Sequence, residues 1–122
     1  RNRAYQRVGG NGALQPVPSV VHFGGFELRE VQRQPLRICN VAGYSTRCHI
    51  IPPTTPYFKV STERRGLLAP GMSEYIVIEF CATEHRYYYD CIRVHSDEGN
   101  LLIPLHAYPV LNEASFPSLV DF

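Results

Sequence analysis

The chain has no tryptophan, a single lysine (Lys59) and a single methionine (Met72). No apolar run reaches the length of a membrane-crossing helix, so a helical span is excluded. Charge of one sign is scarce too. Basic and acidic residues number 12 and 11, leaving +1 at pH 7, too little to hold nucleic acid by bulk charge. Room for helices is short as well. The 9 glycines and 10 prolines interrupt the 122 residues so evenly that only residues 72–98 run longer than nine without either. An ordinary helix needs about ten or more. Signature motifs of catalysis are absent: no G-x-S-x-G elbow, no H-E-x-x-H, no glycine-rich loop opening a helix. Gly9-Gly10-Asn11-Gly12 lacks the following helical pattern whose N-terminus would bind phosphate. The expectation is a non-enzyme with no cofactor and no small-molecule substrate.

Four cysteines are present, Cys39, Cys48, Cys81 and Cys91, without C-x-x-C spacing. The chain is long enough to fold on its own core, so they read as free thiols of a reducing compartment. Two spacings resemble half-sites for zinc, Cys81-x-x-x-His85 and Cys91-x-x-x-His95. The second falls on an expected strand, where four residues span about 13 Å, too far for ligands of one ion. The first reads as a strand-end thiol beside a solvated histidine, and no metal is expected. The chain starts at Arg1 with no apolar leader, and the expectation is a piece of a longer protein.

What is present is alternation of period two. Ile76, Ile78 and Phe80 alternate with Tyr75, Val77 and Glu79. Leu36 and Ile38, Cys48 and Ile50, Phe58 and Val60, Ile92 and Val94, and Ile103 and Leu105 repeat the pattern in shorter form. Residues 19–23 form a further apolar run. Turn residues lie between: Gly24-Gly25, Ala42-Gly43, Pro52-Pro53, Pro70-Gly71 and Asp97-Glu98-Gly99-Asn100. Seven short strands at this spacing predict an all-β sandwich over residues 16–109. The predicted core is Phe23, Leu36, Ile38, Ile50, Phe58, Ile76, Ile78, Phe80, Ile92, Val94 and Leu105. Pro104 has no N–H to give, so it belongs at an edge or bulge. Arg86-Tyr87-Tyr88-Tyr89 places Tyr87 and Tyr89 on one strand face and Tyr88 on the other. At least one of those faces is packing rather than a single-strand nucleic-acid platform.

The order of elements resembles the ASH domain, an immunoglobulin-like module named after the abnormal-spindle and hydin proteins. Pro18-Ser19-Val20-Val21-His22-Phe23-Gly24 resembles its opening, and Leu36-Arg37-Ile38-Cys39-Asn40-Val41 its next strand. Cys48-His49-Ile50-Ile51-Pro52, residues 66–71, Ile92-Arg93-Val94-His95-Ser96 and Ile103-Pro104-Leu105-His106-Ala107 continue it. Residues 49–58 look like proteins of the axonemal central pair. The resemblance implies a seven-stranded, immunoglobulin-like sandwich of ASH or major-sperm-protein type with irregular N- and C-terminal extensions. It also implies a docking module of a ciliary or flagellar axoneme, located in the cytoskeleton. Partners would be other axonemal proteins, microtubule-associated ones among them. Relatives are associated with calmodulin; no basic amphipathic helix is present, so such a site is expected outside this stretch. The major-sperm-protein relatives include adaptors at membrane contacts that read acidic, phenylalanine-containing peptides. The matching positions here fall near Ile51, Pro52, Cys91 and Arg93, and three of the four lack the charge or hydroxyl required. A secreted immunoglobulin domain is disfavoured by the missing tryptophan and the missing inter-sheet cysteine pair.

Candidate contact residues lie outside the sandwich. Residues 1–15 form an Arg/Gly-rich arm with Arg1, Arg3, Tyr5 and Arg7, and residues 110–122 an exit linker with Phe116 and Phe122. Interfaces favour these residue types. If the thiol reading holds, titration of the denatured, unreduced protein finds four thiols; two or none would contradict it.

Overall fold

The computed structural model describes residues 9–109. Nine strands build two facing sheets: β1 Leu14–Val17, β2 Val21–Phe26, β3 Val31–Asn40, β4 Thr46–Ile51, β5 Phe58–Thr62, β6 Gly66–Leu68, β7 Ser73–Cys81, β8 Tyr88–His95 and β9 Leu101–Pro109. One sheet, called A below, runs β1-β3-β7-β5; the other, sheet B, runs β2-β9-β8-β4-β6. Helices are absent among the described residues. The seven expected strands are all found. The two additions, β1 and β6, are four and three residues long. Neither shows alternation long enough to read, and both exist because β3 and β4 offer them a ladder. β1 also draws Ala13 and Leu14, assigned above to the arm, into the fold, where both are fully buried. Asn11 anchors them: its Oδ1 accepts from the N–H groups of Ala13 and Leu14, and its Nδ2 donates to the Gly99 carbonyl at 2.7 Å.

Besides Pro109, the last residue of β9, three prolines sit inside strands, each where one flank is open. Pro16 lies in the edge strand β1. Pro35 faces Val77 of β7, while β1 pairs with β3 only over Arg37–Asn40 on the other side. Pro104 faces Cys91 of β8, while β2 pairs with β9 only from Leu105 onward. A missing N–H is tolerated at such places.

Ten of the eleven predicted core residues are buried. Ile50 is the correction: it is half-buried and packs against the core from the side, because the sandwich is open along β4 and β5. Tyr88, Phe26, Leu68 and Leu101 are core members that the short alternating runs did not include. Phe26 is informative. It stands three residues after Phe23, which in a regular strand would send it to the opposite face. A register shift across Gly24-Gly25, with Gly25 at φ 63°, turns both phenylalanines inward.

Phe80 of β7 gathers the aromatic core. Its ring lies 5.5 Å from Phe23, 5.0 Å from Phe26, 4.9 Å from Phe58 and 5.2 Å from Tyr88, centroid to centroid. At the other end Asn40 closes β3. Its Nδ2 donates to the carbonyls of Tyr44 and Leu68 and its Oδ1 accepts from the Ala42 N–H, all at 2.8 Å. Its backbone also bonds to the type II turn Ala69-Pro70-Gly71-Met72, whose Gly71 has φ 82°.

Two substitutions test these anchors. Phe80→Ala should lower stability by about 3–5 kcal/mol. Asn40→Ala should cost about 2–4 kcal/mol, because it removes three hydrogen bonds and leaves the buried Leu68 carbonyl without its donor. Urea unfolding midpoints measure both.

Candidate functional site

Two buried carboxylates are the first places to look for chemistry, and both hold backbone N–H groups. Glu74 of β7 is fully buried; its two oxygens accept from the N–H groups of Arg64 and Arg65 at 2.9 and 3.0 Å. Asp90 of β8 accepts from the Thr55 N–H and hydroxyl and from the Cys91 N–H. Each pins a loop that carries the chain between the sheets. No histidine takes part in these bonds, and the Thr55 hydroxyl is the one side-chain donor among them. Cys48 lies near Glu74, and burial, aided by that negative charge, pushes its thiol up to about 12. A thiol that stays protonated is a core residue, not a nucleophile.

Among the described residues no three histidine, cysteine, aspartate or glutamate side chains come together as metal ligands. His85 stacks near Phe26, 6.3 Å between ring centroids, and His95 stands across from His49. All four cysteines are free; Cys48 and Cys91 are buried, Cys39 and Cys81 half-buried.

Outward positions of sheet B carry a different kind of surface. His22 of β2, His106 and Tyr108 of β9, Tyr89 of β8 and the preceding Tyr87 form a layer of five rings. His22 and His106 stack at 5.4 Å, His22 and Tyr108 at 5.8 Å, and Tyr89 meets His106 at 5.1 Å. Tyr87 is hydrogen-bonded through its hydroxyl to His106 Nδ1, and Tyr108 to His22 Nδ1 at 3.2 Å. Tyr87 and Tyr89 are each about half exposed. Burial, and then the nearby His22, hold the His106 imidazole below its ordinary pKa. No outward position on these strands is a carboxylate. Tyr88, facing the other way, is core: its hydroxyl accepts from the N–H groups of Thr83 and Glu84, and Arg86 lies 4.0 Å above its ring. The split of the tyrosine run between two faces is as the alternation required.

The positions compared above with peptide-reading relatives also fall here. Ile51 pairs with Arg93 across β4 and β8, and Cys91 lies on the same outward side of β8. Arg93 is the one full charge among them. The contact residues expected on the arm and exit segment, Arg1, Arg3, Tyr5, Arg7, Phe116 and Phe122, lie outside the described residues. Sequence reasoning missed the ring layer because its members come from three separate stretches. Only the tyrosine run hinted at it.

This sandwich, with its two-residue glycine bulge and ring-bearing outer sheet, has the fold of ASH, PapD-like and major-sperm-protein domains. A PapD-like domain of human CEP192 superposes with a TM-score of 0.65 at 15% identity, covering 83% of this chain and 89% of that one. SSP-19, a major-sperm-protein-like protein of Caenorhabditis elegans, gives 0.60 at 15% identity, covering 76% and 97%. No family model matches the sequence. In sequence, the chain is 60% identical over 122 residues to the cilia- and flagella-associated protein 221 homolog of Chlamydomonas reinhardtii. The match takes in 99% of this chain and 19% of that protein, so the chain spans about a fifth of its relative.

Two measurements probe the site. In an NMR titration His106 should titrate below a free histidine, and His22→Ala should move it upward by removing a like charge. At pH 8 in the folded protein, Cys48 should resist Ellman's reagent, while the half-exposed Cys39 and Cys81 react.

Proposed function

We propose that this chain is a non-catalytic docking domain of a ciliary or flagellar axonemal protein, working in the central-pair apparatus. The observation that carries it is the 60% identity, along nearly the whole chain, to a cilia- and flagella-associated protein. The fold supports it, since both buried carboxylates serve as loop anchors and the outer face of sheet B presents rings without competing carboxylates. Exposed tyrosines are favoured interface residues, because they bury much area at little entropic cost. The partners are other axonemal proteins. Arg1, Arg3, Tyr5, Arg7, Phe116 and Phe122 supply further contacts from the terminal segments. The location is the cilium, on its cytoskeleton. Calmodulin, if bound by the longer protein, docks elsewhere.

Co-sedimentation with demembranated axonemes tests this. The intact chain should pellet with axonemes, and Tyr87→Ala with Tyr89→Ala should weaken retention about tenfold or more. Residues 9–109 alone should retain part of the binding. Full retention without the terminal segments would confine the contacts to the sandwich. No retention of the intact chain would end the docking reading.

A further inference from the structure

The two sheets stay open on one side, and that side has a peptide's dimensions. β6 covers β4 only over Thr46–Cys48, so His49, Ile50 and Ile51 have no strand on that flank. Opposite them, β5 pairs with β7 and with nothing else. Between them lies a groove of about 670 Å³ lined by Ile50, Ile51, Pro52, Val60, Thr62 and Arg64, among others. Ile50 and Val60 are the two half-buried core residues that look into it.

The other edges of the molecule are guarded. β1 is four residues long and carries Pro16, β2 is broken by its glycine bulge, and β6 is three residues long. β5 is different: its register with β7 is unbroken from Phe58↔Phe80 to Thr62↔Ile76. The Tyr57 carbonyl accepts from the Cys81 N–H at 3.1 Å. By the alternation of an antiparallel ladder, Phe58, Val60 and Thr62 then turn their N–H and C=O groups away from β7, toward the open side. An incoming strand finds hydrogen bonds there and, level with Val60, an apolar slot between the sheets.

Charge chooses the occupant. Lys59 faces outward from β5 and Arg64 lines the groove just beyond its end; neither side chain is in an ion pair among the described residues. The nearby Glu63 and Glu79 are each held by an arginine, Arg65 and Arg33, and Glu74 is buried under the loop. We infer that the β5 edge receives an extended acidic segment of a partner protein as a fifth strand of sheet A. Its apolar side chains alternate into the slot between Ile50 and Val60, and its acidic ones lie beside Lys59 and Arg64. This rests on the docking reading and names the chemistry of one partner.

The test uses the intact chain and a short peptide in which glutamate alternates with valine and isoleucine. A control peptide has the same residues with the apolar ones in one block. The alternating peptide should bind saturably, shift the amide resonances of β5 and slow hydrogen exchange at Val60. Lys59→Glu with Arg64→Glu should weaken it about tenfold or more. Val60→Pro removes the outward N–H without touching the β5–β7 bonds and should abolish binding. If that variant fails to fold, the charge reversals still decide. No saturable binding, equal binding of the block peptide, or shifts confined to His22, Tyr87 and His106 would overturn the inference. Axoneme binding that survives such a failure leaves the docking reading standing. Peptide binding without axoneme binding does the reverse.

Discussion

Everything in this molecule hangs on two sheets meeting at one ring. Phe80 comes from β7 of sheet A, and the rings around it come from both sheets: Phe58 from A, and Phe23, Phe26 and Tyr88 from B. Side chains of a sheet have one face to bury, and aromatic rings bury the most area each. Once Phe80 is seated, β2 must approach β9 closely enough to insert two phenylalanines from one short strand. The glycine bulge is the local answer to that demand. The pairing of β2 with β9 is parallel, so it closes one side of sheet B with a strand from the far end of the chain.

The opposite side is held by polar groups. Asp90 grips the β4–β5 connection through Thr55, and Glu74 grips the β5–β6 loop through the N–H groups of Arg64 and Arg65. Arg64 has φ 55°, a left-handed conformation that costs energy outside glycine, and the Glu74 bond stabilises it there. Buried carboxylates survive away from water when backbone donors satisfy them. These two anchors shape the mouth between β4 and β5, so the core's satisfied charges and the open edge are parts of one arrangement. The ring layer on sheet B is separate. It stands on the outer face of three strands whose inner face is the core.

Strands β3, β4, β5, β7, β8 and β9 were legible because alternation puts every second residue in the core, and that pattern is local. The turn at Pro70-Gly71 was legible from its residue types. β1 and β6 were not, since strands of four and three residues hold their place only through partners remote in sequence. Ile50 looked like core because it keeps phase with Cys48. Phase cannot report that no strand covers it. The strand spacing of Cys91 and His95 already spoke against a shared ion in the sequence, since four residues of a strand span about 13 Å.

Residue order by itself left one window, residues 72–98, long enough for a helix, gave that window a period-two pattern instead, and showed strands with one apolar face each, the pattern of a sandwich. Period-two burial is a property of adjacent residues and needs no knowledge of neighbours in space. Tertiary structure alone decided which edges are covered and which remain open. It also decided that His22, Tyr87, Tyr89, His106 and Tyr108 share one surface, and that two buried acids anchor loops. Each of these depends on pairing between segments far apart in the chain, and sequence spacing carries no measure of that distance.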